Sequence, residues 1–141
     1  MITSKQQTFS DGQVVTADAA STNVIDLGAP GTVLGAPAAM VRNIGKGRPV
    51  PLYVQLDADA SGTTPTLDVR LEVDNDVNFG SAKVVARSEQ IAGGAAGDRV
   101  SLYAVGERAD ERYMRLFYDV GGTTPSYTIS AGIPLADQTA P

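Results

Sequence analysis

The stretch Asp57-x-Asp59-x-Ser61-Gly62-x5-Asp68 has residue types and a spacing that could do chemistry. Oxygen ligands at positions 1, 3, 5 and 12 of such a loop surround Ca²⁺, and a glycine at position 6 makes the sharp turn. Three features oppose that reading. The flanks alternate like strands instead of helices. Pro65 stands where the loop must curl. Asp68 is shorter than the glutamate that usually closes the loop. An Asp- and Gly-rich hairpin turn accounts for the same residues, so no metal site is assigned.

The rest of the inventory leads away from catalysis. The chain has no His and no Cys, which removes the commonest general base, the usual zinc ligands, the serine triad and thiolate nucleophiles. Phosphate-cradling glycine patterns are absent. Carboxylate pairs of the glycosidase kind remain chemically possible, but the acidic residues fall on the outward register of alternating segments or in turns, where a solvated structural role is expected. The expectation is a protein that is not an enzyme and holds no cofactor.

The elements that position these residues read as strands. Fifteen Gly and eight Pro in 141 residues are more than a helix bundle tolerates. In Thr66–Asp74, Leu67, Val69, Leu71 and Val73 alternate with Asp68, Arg70, Glu72 and Asp74, a pattern that gives a strand one buried and one wet face. Further strands are expected at Gln13–Ala17, Asn23–Leu27, Pro51–Asp57, Lys83–Arg87, Arg99–Val105, Tyr113–Val120 and Ser126–Ile133. Helix is limited to a short turn near Glu107–Glu111. About eight antiparallel strands with turn signals between them imply an all-β sandwich or barrel, of which a jelly roll is one eight-stranded solution. A single domain over residues 1–141 is expected, with an N-terminal segment 1–12 and a long loop 28–49. Gly62-Thr63-Thr64-Pro65 is echoed by Gly122-Thr123-Thr124-Pro125, which reads as two similar hairpins.

Charge and hydropathy narrow the partners. A net charge of −5 repels phosphates and anionic lipid, so neither nucleic acid nor a membrane is expected as a partner. No run reaches the roughly 18 apolar residues that span a bilayer, and Met1–Gln7 lacks an apolar signal region. The absence of Cys suits a reducing cytoplasm. Against this background Gly28–Pro49 stands out, with Arg42, Lys46 and Arg48 and no acidic residue; a basic loop on an acidic body is a candidate docking element. On Tyr113–Val120, Phe117 shares the outward register with Tyr113 and Arg115, residue types enriched at interfaces. Candidate protein-contact residues are therefore Phe9 with the N-terminal segment, Arg42, Lys46, Arg48, Tyr113, Arg115 and Phe117.

The ordered set of segments is similar to the small capsid cement (decoration) proteins of the Bordetella-phage type. The likeness is carried by Phe9-Ser10-Asp11-x-Gln13-Val14-Val15-Thr16-Ala17, Ser21-Thr22-Asn23-Val24-Ile25-Asp26-Leu27-Gly28, Ile44-Gly45-Lys46-Gly47-x-Pro49 with Leu52–Asp57, Leu67–Asp76 with Phe79, and Arg112–Val120. It covers most of the chain in order, although Pro30–Val41 is longer than the family usually shows. The resemblance implies a jelly-roll β domain, made in the host cytoplasm and seated on the outer surface of a tailed-phage capsid. It implies a homodimer near two-fold positions that bridges major capsid protein subunits non-covalently and stabilises the shell. It brings no catalytic residues. A glycan- or receptor-binding β-sandwich on the virion surface is the alternative.

Overall fold

The computed structural model describes residues 3–42, 47–104 and 107–135. Nine strands follow in chain order: β1 (Thr3–Val15), β2 (Ala19–Ala20), β3 (Ile25–Asp26), β4 (Val50–Leu56), β5 (Ser61–Asp74), β6 (Lys83–Arg87), β7 (Ile91–Ala92), β8 (Leu102–Ala104) and β9 (Tyr113–Pro134). All pairings are antiparallel, and the described residues contain no helix. Glu107 and Arg108 form a non-helical turn.

The long strand β9 organises the fold. Its first half, Tyr113–Val120, is flanked by β5 on one side and by the short β2 and β3 on the other, with β6 and β7 completing that sheet beyond β5. Its second half lies between β1 and β4, and β8 extends the second sheet beyond β4. The alternating apolar residues of both sheets meet in one core, which contains Val54 and Leu56 of β4, Leu67, Val69 and Leu71 of β5, and Leu116, Tyr118 and Ile129 of β9. The result is a jelly-roll-like antiparallel β-sandwich whose sheets share two continuous strands.

The two Gly-Thr-Thr-Pro segments form the corner between the sheets, and this corrects the expectation of two separate hairpins. They pair with each other. Thr63 faces Thr123, Thr66 faces Gly121 and Ser61 faces Ser126, so each strand carries one extra residue on opposite sides of the Thr63–Thr123 pair. Two bulges of this kind bend both strands together. The geometry is two-fold about that central pair. Thr64 and Thr124 both have φ of 48°, and Gly62 and Gly122 have φ of 111° and 107°. An added Cβ on Gly62 would stand 2.5 Å from the Thr124 carbonyl oxygen, and one on Gly122 would stand 2.6 Å from that of Thr64. The sequence echo thus reflects one symmetric crossing that admits glycine alone at each point of closest approach.

A polar cluster ties β1 of the second sheet to β9 and β2 of the first. The buried Tyr118 hydroxyl lies 2.7 Å from Ser10 Oγ, and Ser10 Oγ donates to Gln13 Oε1 at 2.7 Å. Gln13 Nε2 in turn donates to the Ala20 carbonyl. Burial pushes the Tyr118 phenol well above its ordinary pKa, so the hydroxyl stays a neutral hydrogen-bonding group.

Candidate protein-interaction surface

Alternation along β5 and the first half of β9 places one set of side chains on the outer face of the first sheet. Cross-strand register sets Asp68 opposite Asp119, Arg70 opposite Phe117, Glu72 opposite Arg115 and Asp74 opposite Tyr113. Neighbouring carboxylates Asp68 and Asp119 would repel each other, and each is neutralised by its own arginine. Arg87 of β6 donates through Nε to Asp68 at 2.6 Å, and Arg70 pairs with Asp119. Arg115 donates to Glu72 from Nε at 2.9 Å and from an Nη at 2.8 Å.

This face was expected to be wet, and its carboxylates on β5 are instead buried while Arg70, Tyr113, Arg115, Phe117 and Asp119 stay partly exposed. Asp68, Glu72 and Asp74 are only 4%, 6% and 5% exposed. The arginines and a folded-back loop cover them. Asp74 accepts hydrogen bonds from the backbone N–H groups of Asp76 and Ser81 at 2.9 and 2.8 Å, which holds its carboxyl below the usual range and closes the turn between β5 and β6. In that turn Phe79 adopts φ of 55°, a conformation that costs a non-glycine residue roughly 1–2 kcal/mol. Burial of the ring against the Arg115 guanidinium, 4.1 Å from its centroid, offsets that strain. Long polar stems can cover carboxylates in this way because their charged heads still reach water.

Phe117 lies half-buried between two cations, with the guanidinium carbons of Arg70 and Arg115 at 5.5 and 5.9 Å from its ring centroid. Beyond it, Arg112 lies 4.9 Å from the Tyr113 centroid and grips Asp26 with two 2.8 Å hydrogen bonds. That hydrogen bond, aided by the Gly28 N–H, lowers the Asp26 carboxyl to about 2. Each cation–aromatic contact contributes about 0.5–1 kcal/mol at an exposed site and more when desolvated. Asp68 Oδ1 and Arg70 Nε are buried with no hydrogen-bond partner among the described residues. Such groups cost roughly 1–3 kcal/mol each. The arrangement is a stiff, aromatic- and arginine-rich surface of the kind found at interface centres.

The loop leaving β3 borders this face. Arg42 donates to the carbonyls of Leu27 and Gly28 and so closes the loop at its base. Ala36 N–H donates to the Val33 carbonyl and Met40 N–H to the Gly31 carbonyl, each at 2.9 Å. The segment from Gly28 to Arg42 is therefore a folded arm.

The structure brings Tyr113, Arg115 and Phe117 together on one face and places Arg42 at the base of the adjoining arm. Arg48 is exposed where the chain returns to β4, and Lys46 lies outside the described residues. Phe9 corrects the expectation of a surface contact: it is 0% exposed and belongs to the core, because its position on β1 points between the sheets. Sequence reasoning missed Phe79, Arg70 and Arg112. The signal for Phe79 was an aromatic in the polar turn Asn75–Ser81; the two arginines needed the cross-strand register.

Among the described residues no three acidic side chains cluster as a metal site. The residues of the calcium-like spacing are engaged elsewhere: Asp57 accepts from Ser130 Oγ at 2.5 Å, Asp59 from the Ala96 N–H at 2.8 Å, and Asp68 from Arg87.

Residues 9–133 match the model of the protein family Bbp16. No curated protein matches the chain.

Proposed function

Because the chain belongs to the Bbp16 family, a Bordetella phage protein family, we propose that it is a structural virion protein that binds the outer surface of the tailed-phage capsid. On this reading it stabilises the shell by bridging major capsid protein subunits without covalent bonds, acting as a homodimer near two-fold positions and catalysing nothing. The outer face of the first sheet is the observation that carries the reading. Phe117 and Tyr113 are held there by arginines whose own charges are matched by Glu72, Asp26 and Asp119, and the buried Phe79 ring supports Arg115 from beneath. A surface locked by such pairs loses little side-chain freedom on docking, so more of the contact energy remains as affinity.

The arithmetic favours many modest contacts. A standard interface buries about 800 Å² on each partner. A subunit anchored at one capsomer meets the next at high effective concentration. Binding only the expanded shell stabilises that state by mass action. The test is to mix purified protein with expanded, undecorated capsids and image them. Stoichiometric, symmetric density on the outer surface is expected. Phe117→Asp should lower occupancy while circular dichroism remains β-type; undiminished occupancy would remove this face from the contact, and no density with wild-type protein would sink the proposal.

A further inference from the structure

Apolar surface outside the core concentrates on the arm. Val33, Leu34, Met40 and Val41 are 58%, 102%, 56% and 76% exposed. Elsewhere the exposed apolar residues are dispersed: Val14, Val84 and Tyr103 lie on three different strands. Scattered apolar residues are ordinary on a protein surface, whereas a clustered patch marks a binding site. The arm is also pre-shaped, since backbone bonds close its tip and middle and Arg42 closes its base.

We infer that the arm, residues 28–42, is a plug that inserts into an apolar cleft with an acidic rim on a neighbouring shell subunit. The inference rests on the virion reading and deepens it. Charge is the first argument. The arm contains Arg42 and no carboxylate, and Arg48 follows it, on a chain of net charge −5. An acidic rim complements that local excess. Area is the second. Four side chains offer a few hundred Å² at most, well below the roughly 800 Å² per partner of a stable complex. The arm therefore cannot hold a free complex alone and needs a second contact beside it. Continuity supplies one: β3 leads directly into the arm and pairs Asp26 with Tyr113, so the cation–aromatic face and the arm meet at its base. A second copy of this chain is the competing occupant; arm against arm across a two-fold axis would bring two Arg42 side chains together with no carboxylate on either arm to balance them.

Leu34→Asp tests the plug without endangering the fold, because Leu34 touches nothing that the core needs. The free variant should keep the melting temperature and oligomeric state of the wild type. Its apparent affinity for expanded shells should fall about ten-fold or more, as expected for losing one buried leucine. Arg48→Glu should weaken binding further and flatten its dependence on salt. Wild-type binding with unchanged Leu34→Asp affinity overturns the plug and leaves the virion reading intact. A variant that changes the oligomeric state of the free protein assigns the arm to a second copy and overturns the plug. Failure of the wild type to bind shells removes both.

Discussion

Replacing Gly122 with alanine tests the symmetric corner on which both sheets turn. Gly122 has φ of 107°, where an L-residue pays roughly 1–2 kcal/mol. Its new Cβ would also stand 2.6 Å from the Thr64 oxygen, 2.9 Å from the Thr63 oxygen and 3.0 Å from Pro65 Cα. All three are backbone atoms of a paired strand and cannot swing aside, so the strands must separate locally; overpacking of this kind adds roughly 1–3 kcal/mol. The sum is about 2–5 kcal/mol. Gly97 provides the control, since its φ is 91° with nothing within 4 Å of a built Cβ, so Gly97→Ala carries only the conformational part. Urea unfolding followed by far-ultraviolet circular dichroism measures each loss, with an unchanged m-value licensing the comparison. Gly62→Ala should match Gly122→Ala within about 1 kcal/mol, because the two sites are related by the local two-fold. A Gly122→Ala loss no larger than that of Gly97→Ala would refute the close approach, and a wide disparity between Gly62→Ala and Gly122→Ala would refute the symmetry.

Three further outcomes follow from named contacts. Phe9→Ala should destabilise by about 3–5 kcal/mol in the same unfolding assay, as for a fully buried aromatic; a stable variant with reduced shell occupancy would return Phe9 to the surface. Arg115→Leu should cost about 3 kcal/mol by leaving the buried Glu72 carboxylate unpaired, and adding Glu72→Gln should recover part of the loss, with simple additivity counting against a coupled pair. Asp26 titrates near 2 in the folded chain instead of at 3.8. A depressed carboxyl contributes stability that is present above pH 3.8 and lost as pH falls through its folded value. The stability gap between wild type and Arg112→Ala should therefore be open at pH 6 and close towards pH 2, with the Asp26 carboxyl resonance of the variant titrating closer to 3.8.

The inner faces were legible because period-two alternation reports burial directly. Leu67, Val69, Leu71 and Val73, and Met114, Leu116 and Tyr118, all reach the core as their spacing implies, and β6 occupies Lys83–Arg87 as expected. The first part of β1 was hidden because Thr3–Thr8 carries no apolar alternation. Its pairing with the end of β9 passes through register shifts, and these erase any simple period. Strands β2 and β7 are two residues long, too short for any period. The corner was misread for a different reason. Gly-Thr-Thr-Pro is turn chemistry by composition, and only partner identity separates a hairpin from two strands bulging against each other. The outer face shows the same limit. Alternation placed Asp68 and Glu72 opposite the core, but their burial depends on Arg87 of β6 and Arg115 of β9, 19 and 43 positions along the chain.

That dependence explains how the two parts of the surface differ. On the first sheet, ion pairs and cation–aromatic contacts consume the polarity of Arg70, Arg112 and Arg115 internally, so the face is rigid and only half-exposed. The arm has no such cover: Leu34 is fully exposed and the carbonyl contacts of Arg42 act only at the base. Stiff charged surfaces confer orientation and specificity more than net affinity, whereas apolar side chains gain free energy roughly in proportion to the area they remove from water. On the proposed reading the first sheet sets how a subunit sits on the shell and supplies most of the contact area, and the arm adds apolar affinity beside it. Substitutions on the face should then lower both the amount and the order of the density, whereas substitutions at the arm tip should lower its amount and leave the order of the bound fraction unchanged.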